Sequence, residues 1–314
     1  MSPPQDIGDQ ALIGAAQPSG GTSILSVGGS SDPDSVVSYS DDTGWSSALT
    51  NYPMDVGMCV VAGNADNAQV AQGSYSSNAS YKYYGGTNDY SANVGSAGDG
   101  LYTGSNGAGG GEQDDMIVFG GNTGGGGAHA KDLCSGYTSA SGWTTLDTLS
   151  KVYREVGGGR GTTDSAICVC GEDGSFDDYD SVENYSGASD TWSTNSTAFP
   201  VDFNNGICFG SATDCVAGMG VSTTNSGYPR SETYYTTNSG DTWSSSQDNT
   251  YDAYGVGCAG ADSDAGLAWC GTNWVIATNY SLTNDYSKAS GWSTSGNTYP
   301  RTEYQVRGSG SASG

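Results

Sequence analysis

Side chains suited to acid–base or nucleophilic chemistry are few in this sequence. His129 is the only histidine, and it ends a glycine-rich stretch at residues 123–129. One histidine in a glycine loop argues against a His-based catalytic triad and excludes a multi-histidine metal site. We therefore predict no catalytic residue, and we expect that the protein is not an enzyme.

Four arginines are the remaining candidates for recognising an acidic substrate: Arg154, Arg160, Arg230 and Arg301. A sialidase-like glycosidase needs arginines that converge on a carboxylate, together with a tyrosine nucleophile and an acid. Arg154 and Arg160 come from one repeat, and Arg230 and Arg301 occupy unlike positions in theirs. A sialidase-like enzyme is therefore the third-ranked interpretation.

Acidic loops offer hard oxygen ligands, which suit Ca²⁺. The candidate ligands are Asp173, Asp177 and Asp178, within residues 172–180. The segment lacks the full Asp-x-Asp-x-Asp-Gly spacing, so solvated turn carboxylates are the competing interpretation. An excess of acids also keeps a protein soluble in saline surroundings.

The charge balance excludes whole classes of partner. The chain has 34 acids and 9 bases, a net charge of −25. Binding to nucleic acid or to anionic lipid requires clustered Lys and Arg, so neither is expected. No apolar run is long enough for a membrane helix, and no secretory signal is visible at the N-terminus. Most of the eight cysteines lie in apolar runs, which predicts buried free thiols.

The sequence repeats at a nearly constant interval. Five tryptophans share one context: Trp45, Trp143, Trp192, Trp243 and Trp292. Their intervals are 98, 49, 51 and 49 residues, so a sixth copy that has lost its Trp is expected near Val94. A period of 40–50 residues is typical of propeller blades.

Other residues keep the same phase. A tyrosine precedes each Trp: Tyr39, Tyr137, Tyr185, Tyr235 and Tyr286. An apolar run further upstream ends in glycine: Gly29, Gly121, Gly171, Gly220 and Gly271. Each repeat reads as four short strands, which predicts an all-β, six-bladed β-propeller of four-stranded blades. The rings are expected to fill the gaps between blades. The glycines are expected where the chain is crowded near the central channel.

The Gly-Gly, Tyr and Trp pattern resembles the kelch-type propeller over about residues 23–307. The stretch from Thr236 to Trp243 also resembles the Asp-box hairpin of sialidase-like propellers, with Asn238 at the usual Asp position. Both resemblances imply the same ring of blades.

The chain is expected to consist of three parts: an N-terminal arm, a propeller and a C-terminal tail. Residues 1–21 lie outside the repeat and predict an attachment arm, with Leu12 and Ile13 docking on a neighbouring subunit. Residues 22–307 form the propeller, in which the C-terminal strand Glu303–Arg307 completes blade 1 and closes the ring. Residues 308–314 predict a flexible Gly/Ser tail.

A propeller without a catalytic set suggests a binding or architectural role. By analogy with propellers in virus and phage appendages, the leading hypothesis is a virion structural protein, such as a tail fibre, spike or capsid decoration. It would be made in the host cytoplasm and reside on the particle surface. Its partners would be other structural subunits, with a host-surface glycan as a second candidate. A soluble carbohydrate-binding lectin is the runner-up.

Overall fold

The computed structural model of the protein describes residues 22–28, 34–46, 49–53, 59–71, 79–92, 107–122, 130–153, 155–222, 227–302 and 307–311. In this part of the chain the regular structure is β-strand throughout, in six four-stranded antiparallel sheets and two two-stranded hairpins. The sheets are the blades of a β-propeller, which confirms the predicted fold. The innermost strands contact one another in a closed ring around a central channel.

Each blade runs from an inner strand at the channel to an outer strand at the rim. Blade 1 contains β1 (Ser23–Val27), β2 (Val36–Ser40) and β3 (Gly44–Trp45). Blade 2 contains β4 (Val60–Gly63), β5 (Asn67–Ala71), β6 (Ser80–Tyr84) and β7 (Asp89–Ala92). Blade 3 contains β8 (Ala108–Glu112), β9 (Asp115–Phe119), β10 (Cys134–Thr138) and β11 (Gly142–Leu146). Blade 4 contains β12 (Glu155–Gly161), β13 (Ser165–Glu172), β14 (Asp178–Ser186) and β15 (Thr191–Thr194).

Blades 5 and 6 each carry an extra two-stranded hairpin between their second and third strands. Blade 5 contains β16 (Ile207–Gly210), β17 (Cys215–Gly218), the hairpin β18 (Val221–Ser222) and β19 (Tyr228–Pro229), then β20 (Thr233–Thr236) and β21 (Ser244–Ser245). Blade 6 contains β22 (Gly257–Ala259), β23 (Ala265–Trp269), the hairpin β24 (Thr272–Asn273) and β25 (Thr278–Asn279), then β26 (Thr283–Ser287) and β27 (Gly291–Thr294). The last strand, β28 (Arg307–Ser311), supplies the inner strand of blade 1.

The closing strand lies further along the chain than the sequence indicated. β28 pairs antiparallel with β1, from Val27↔Arg307 to Ser23↔Ser311. Residues 308–311, predicted as part of a mobile tail, therefore complete the ring, and residues 303–306 lie outside the described residues. Position 308 in β28 requires glycine because a Cβ there would lie 2.4 Å from Cζ2 of Trp269.

The hydrophobic core is divided into six clusters, one between each pair of neighbouring blades. The closing interface, between blades 6 and 1, is rich in aromatic rings. Trp45 lies 5.2 Å from Trp269 and 4.7 Å from Tyr299, measured between ring centroids. The Trp269 indole also donates a hydrogen bond of 3.0 Å to Ser26 Oγ across the interface.

Four of the five predicted Tyr and Trp pairs are directly opposed on the third and fourth strands of their blades. Their ring centroids lie between 5.0 and 5.5 Å apart. The pairs are Tyr39–Trp45, Tyr137–Trp143, Tyr185–Trp192 and Tyr286–Trp292. Such close cross-strand rings stabilise a sheet beyond their buried area.

Blade 5 departs from this pattern because its hairpin loop is longer. Tyr235 lies opposite Ser244 instead of Trp243. Asn238 organises the loop: its Oδ1 accepts hydrogen bonds from the Thr236 hydroxyl at 2.8 Å and the Thr242 amide at 3.1 Å. Trp243 consequently packs on Phe199, with 4.6 Å between ring centroids.

The sixth copy has a tyrosine where the other blades have tryptophan. Tyr90 is opposed to Tyr83, with ring centroids 5.1 Å apart, and both rings join the cluster between blades 1 and 2. The substituted position is therefore Tyr90. Val94, where the Trp interval placed it, lies outside the described residues. A search for tryptophan alone misplaced this copy because the spacing from Trp45 is shorter than average.

The glycines at or just after the ends of the second strands have left-handed backbone. Gly121, Gly171, Gly220 and Gly271 have φ between +82° and +139°, and Gly29 lies outside the described residues. The residue before each also has positive φ, and in three blades it is a buried Cys170, Met219 or Cys270. Backbone conformation thus explains these glycines, whereas crowding at the channel involves glycines of the inner strands, such as Gly158.

All eight cysteines are in the described part of the chain, and none forms a disulfide. Seven are buried and Cys258 is half-buried, in agreement with the expected free thiols. Among the residues that the structure describes, no helix is long and apolar enough to cross a membrane.

Candidate functional site

The two faces of the propeller carry different loops. Because successive strands of a blade are antiparallel, the loops between second and third strands lie at the same end as the connections between blades. We call this end the upper face. The turns between first and second strands lie at the opposite end, the lower face.

The extra hairpins place apolar side chains on the upper face. Tyr228 of blade 5 is 48% exposed and Trp274 of blade 6 is 52% exposed. Beside them, Val275 and Ile276 are 45% and 61% exposed. We call these four residues the hairpin patch. A contiguous group of exposed apolar side chains, unlike a single one, is a candidate interaction surface.

The aromatic rings of the hairpin patch bridge neighbouring blades. The rings of Tyr228 and Trp274 are parallel within 5°, and their centroids are 6.3 Å apart. Gly227, which precedes Tyr228, has a φ of +74°, a backbone conformation that favours glycine. The two hairpins therefore present one continuous surface.

The tip of the blade 6 hairpin is held by hydrogen bonds. Asn273 Oδ1 accepts from the amides of Val275 and Ile276, at 3.1 and 3.4 Å. Asn273 Nδ2 donates to the Asp252 carbonyl at 3.3 Å, and Asn273 is only 8% exposed. The backbone of the turn that carries these apolar side chains is thus held in place, which lowers the entropy cost of binding a partner.

Carboxylates lie on the chain segments next to the two hairpins. Arg230 lies 3.4 Å from Glu232 and 3.8 Å from Asp202, so this cation is already paired. Burial, followed by the nearby charges of Glu232 and Asp252, raises the pKa of Asp248. Glu232 and Asp252 are therefore close enough to Asp248 to disfavour its charged form, and we call the carboxylate-rich segments beside the hairpins the acidic rim.

The candidate calcium ligands have separate structural partners. Asp173 Oδ1 accepts from the amides of Ser175 and Asp177, and its Oδ2 accepts from the Tyr179 hydroxyl at 3.0 Å. Burial favours a higher pKa for Asp173, but these hydrogen bonds outweigh it and lower the pKa. Asp178 accepts from Asn204 Nδ2 at 2.9 Å. Within the described ranges, no group of three or more His, Cys, Asp or Glu side chains is arranged for a metal ion.

The candidate arginines do not share one site. Arg160 lies in the central channel, whereas Arg230 is on the upper face of blade 5. Arg301 is half-exposed just after blade 6. Arg154 and His129, like Leu12 and Ile13 of the predicted arm, lie outside the described residues.

Sequence reasoning missed the hairpin patch. Its signal is the apolar run Trp274-Val275-Ile276, which lies out of phase with the five repeated tryptophans and forms a turn, where polar residues are usual. Comparison of the chain with models of protein families gives no match, and comparison with curated proteins gives none either.

Proposed function

We propose that the protein is a non-enzymatic binding component of a larger assembly and that the hairpin patch contacts another protein of that assembly. The observation that carries this proposal is the exposure of Trp274, Val275 and Ile276 on a turn fixed by Asn273. Aromatic anchors beside aliphatic side chains, with a charged rim, are typical of protein interfaces. The acidic rim suits a partner whose apolar contact is surrounded by Lys and Arg.

The particular form of the proposal is a virion component, such as a tail fibre, spike or capsid decoration. It rests on the analogy given with the sequence. The kelch-type relationship is likewise a hypothesis, supported by the left-handed residues after the second strands and by the opposed Tyr and Trp rings. A virion protein would co-purify with capsid or tail proteins in fixed stoichiometry. Deletion of residues 2–20, the predicted arm, would abolish this incorporation and leave the melting temperature of the propeller unchanged.

Paired substitutions test the docking surface. The double variant Val275→Asn/Ile276→Asn removes the aliphatic part of the patch, and we expect its co-purification with the partner to be lost. Val152→Asn is the matched control, because Val152 is 43% exposed in the blade 3–4 connection on the same face but outside the patch. Equal recovery of the double variant and the wild-type protein would contradict the proposal.

A glycan ligand is the second candidate, and the parallel rings of Tyr228 and Trp274 favour it. The C–H groups of a sugar ring carry partial positive charge and pack on the negative face of an aromatic ring. On a glycan array, Trp274→Ala would then lose binding while Val275→Asn/Ile276→Asn would keep it. Dependence of partner binding on the aliphatic residues supports the protein interface instead.

A further inference from the structure

Arg160 crosses the central channel. It belongs to β12 of blade 4, but its Nη2 donates to Ser309 Oγ of blade 1 at 3.0 Å, and Nη1 approaches the Val61 carbonyl of blade 2 at 3.5 Å. Gly110 of blade 3 leaves space for it, since a Cβ there would lie 2.8 Å from Nη1. The side chain lines cavities on both sides, one of about 60 Å³ towards the upper face and one of about 290 Å³ towards the lower face.

The Arg160 guanidinium is a buried charge that forms no ion pair with a described carboxylate, although the charge of Glu112 interacts with it at longer range. The residue is 7% exposed, and none of the ion pairs formed among the described residues involves it. Burial of a cation is costly unless hydrogen bonds and an opposite charge compensate it. A serine hydroxyl and a distant carbonyl use only part of the five-donor guanidinium.

The lower cavity has room for a counter-ion. It is bounded by one glycine from the end of each inner strand: Gly63, Gly111, Gly161, Gly210, Gly260 and Gly310. Thr162, Ser165 and Ser211 add hydroxyl-bearing side chains to the wall. Glu112 also lines the cavity; burial raises its pKa, and the charge of Arg160 opposes this shift.

We propose that the lower channel cavity binds a small oxyanion, a phosphate or a carboxylate, on the guanidinium of Arg160. Two oxygens on one centre match the parallel N–H groups of arginine, and the buried position of the guanidinium strengthens the contact. The site lies on the axis, away from the hairpin patch, and is independent of the proposed docking function.

Inorganic phosphate is the first probe, used with the full chain. We expect phosphate to raise the melting temperature more than chloride does at equal ionic strength, and calorimetry to give saturable binding. Glucuronate tested beside glucose distinguishes an organic carboxylate from an inorganic anion as the preferred ligand. Equal effects of phosphate, glucuronate and chloride on melting, with no binding heat, would overturn the proposal.

Three variants assign the binding to Arg160. Loss of a charged hydrogen-bond donor in Arg160→Met should weaken binding about tenfold or more. Arg301→Met removes the same charge outside the cavity and should bind as the wild-type protein does. Glu112→Gln keeps the guanidinium and removes the nearest competing charge, so it should bind the anion more tightly. Unchanged affinity in both Arg160→Met and Glu112→Gln contradicts the proposal, and the second variant decides it if the first fails to fold.

Discussion

The indoles of three tryptophans, one buried and two half-buried, donate hydrogen bonds across blade interfaces. The acceptors are hydroxyls at the first position of the third strand in the preceding blade, at 2.8–2.9 Å: Trp45 to Thr283, Trp143 to Ser80 and Trp292 to Thr233. Valine occupies the corresponding position in blades 1 and 4, and in the described part of the chain the buried Trp243 Nε1 has no hydrogen-bond acceptor. Val36 packs in the cluster that contains Tyr90, and Val182 packs in the cluster that contains the displaced Trp243.

Thr283→Val tests this donor–acceptor match. The substitution keeps the side-chain shape but leaves the Trp45 indole without an acceptor, which should lower the free energy of unfolding by about 1–3 kcal/mol. Urea unfolding measures the change. Thr197→Val, at an exposed position, is the control and should be close to neutral. An equal effect of the two substitutions would show that the hydrogen bond contributes nothing.

The buried thiols predict a loss of stability in alkali. Burial raises the pKa of Cys59 from 9.0 to about 12 and that of Cys258 to about 11. The unfolded chain therefore loses these protons first, so their contribution is complete below pH 9 and declines as the pH rises towards the folded values. Each such thiol should add a slope of ~1.4 kcal/mol per pH unit. Cys59→Ala should make the decline shallower, and an unchanged slope in urea unfolding would contradict the assignment.

At the scale of the blade, two consecutive left-handed residues lie at or just after the end of the second strand in blades 3 to 6. Only the second of the two is glycine in every described case. At Gly220, φ is +82° and a Cβ would lie 2.3 Å from the Asn204 carbonyl oxygen. A side chain at this position would therefore both strain the backbone and clash with main-chain atoms.

Gly220→Ala should therefore destabilise the protein by more than ~2 kcal/mol, because both the strain and the clash must be relieved. Gly296→Ala is the matched control, since nothing lies within 4 Å of a Cβ there. It should be neutral or stabilise by ~0.4–1 kcal/mol through the unfolded chain. Melting curves of the two variants decide the point, and similar curves would refute it.

Closure of the ring joins the two ends of the described chain. Five residue pairs connect β28 to β1, and Trp269 packs between Gly257 and Gly308 at the same interface. Without β28, blade 1 would lose its inner strand and the edge of β1 would be exposed. Stability of the whole molecule therefore depends on a segment whose composition is typical of a linker.

Two truncations distinguish the closing strand from a tail. Deletion of residues 307–314 should lower the melting temperature sharply or prevent folding, because it opens the ring. Deletion of residues 312–314 alone should leave melting unchanged. If the longer deletion melts like the intact protein, β28 does not hold the ring closed.

The number and strand content of the blades were predictable because the side chains that fill the blade interfaces recur with the repeat. Tyr286 and Trp292 identify a blade by residue type and spacing, and the repeat has a further regular marker, the glycine at the end of each inner strand, from Gly63 to Gly310. The closing strand and Tyr90 were misplaced because glycine carries no side-chain pattern and tyrosine can replace tryptophan in the same contact.

The hairpin patch and the position of Arg160 depend on residues far apart in sequence. Tyr228 meets Trp274, and Arg160 meets Ser309, only because ring closure brings their blades together.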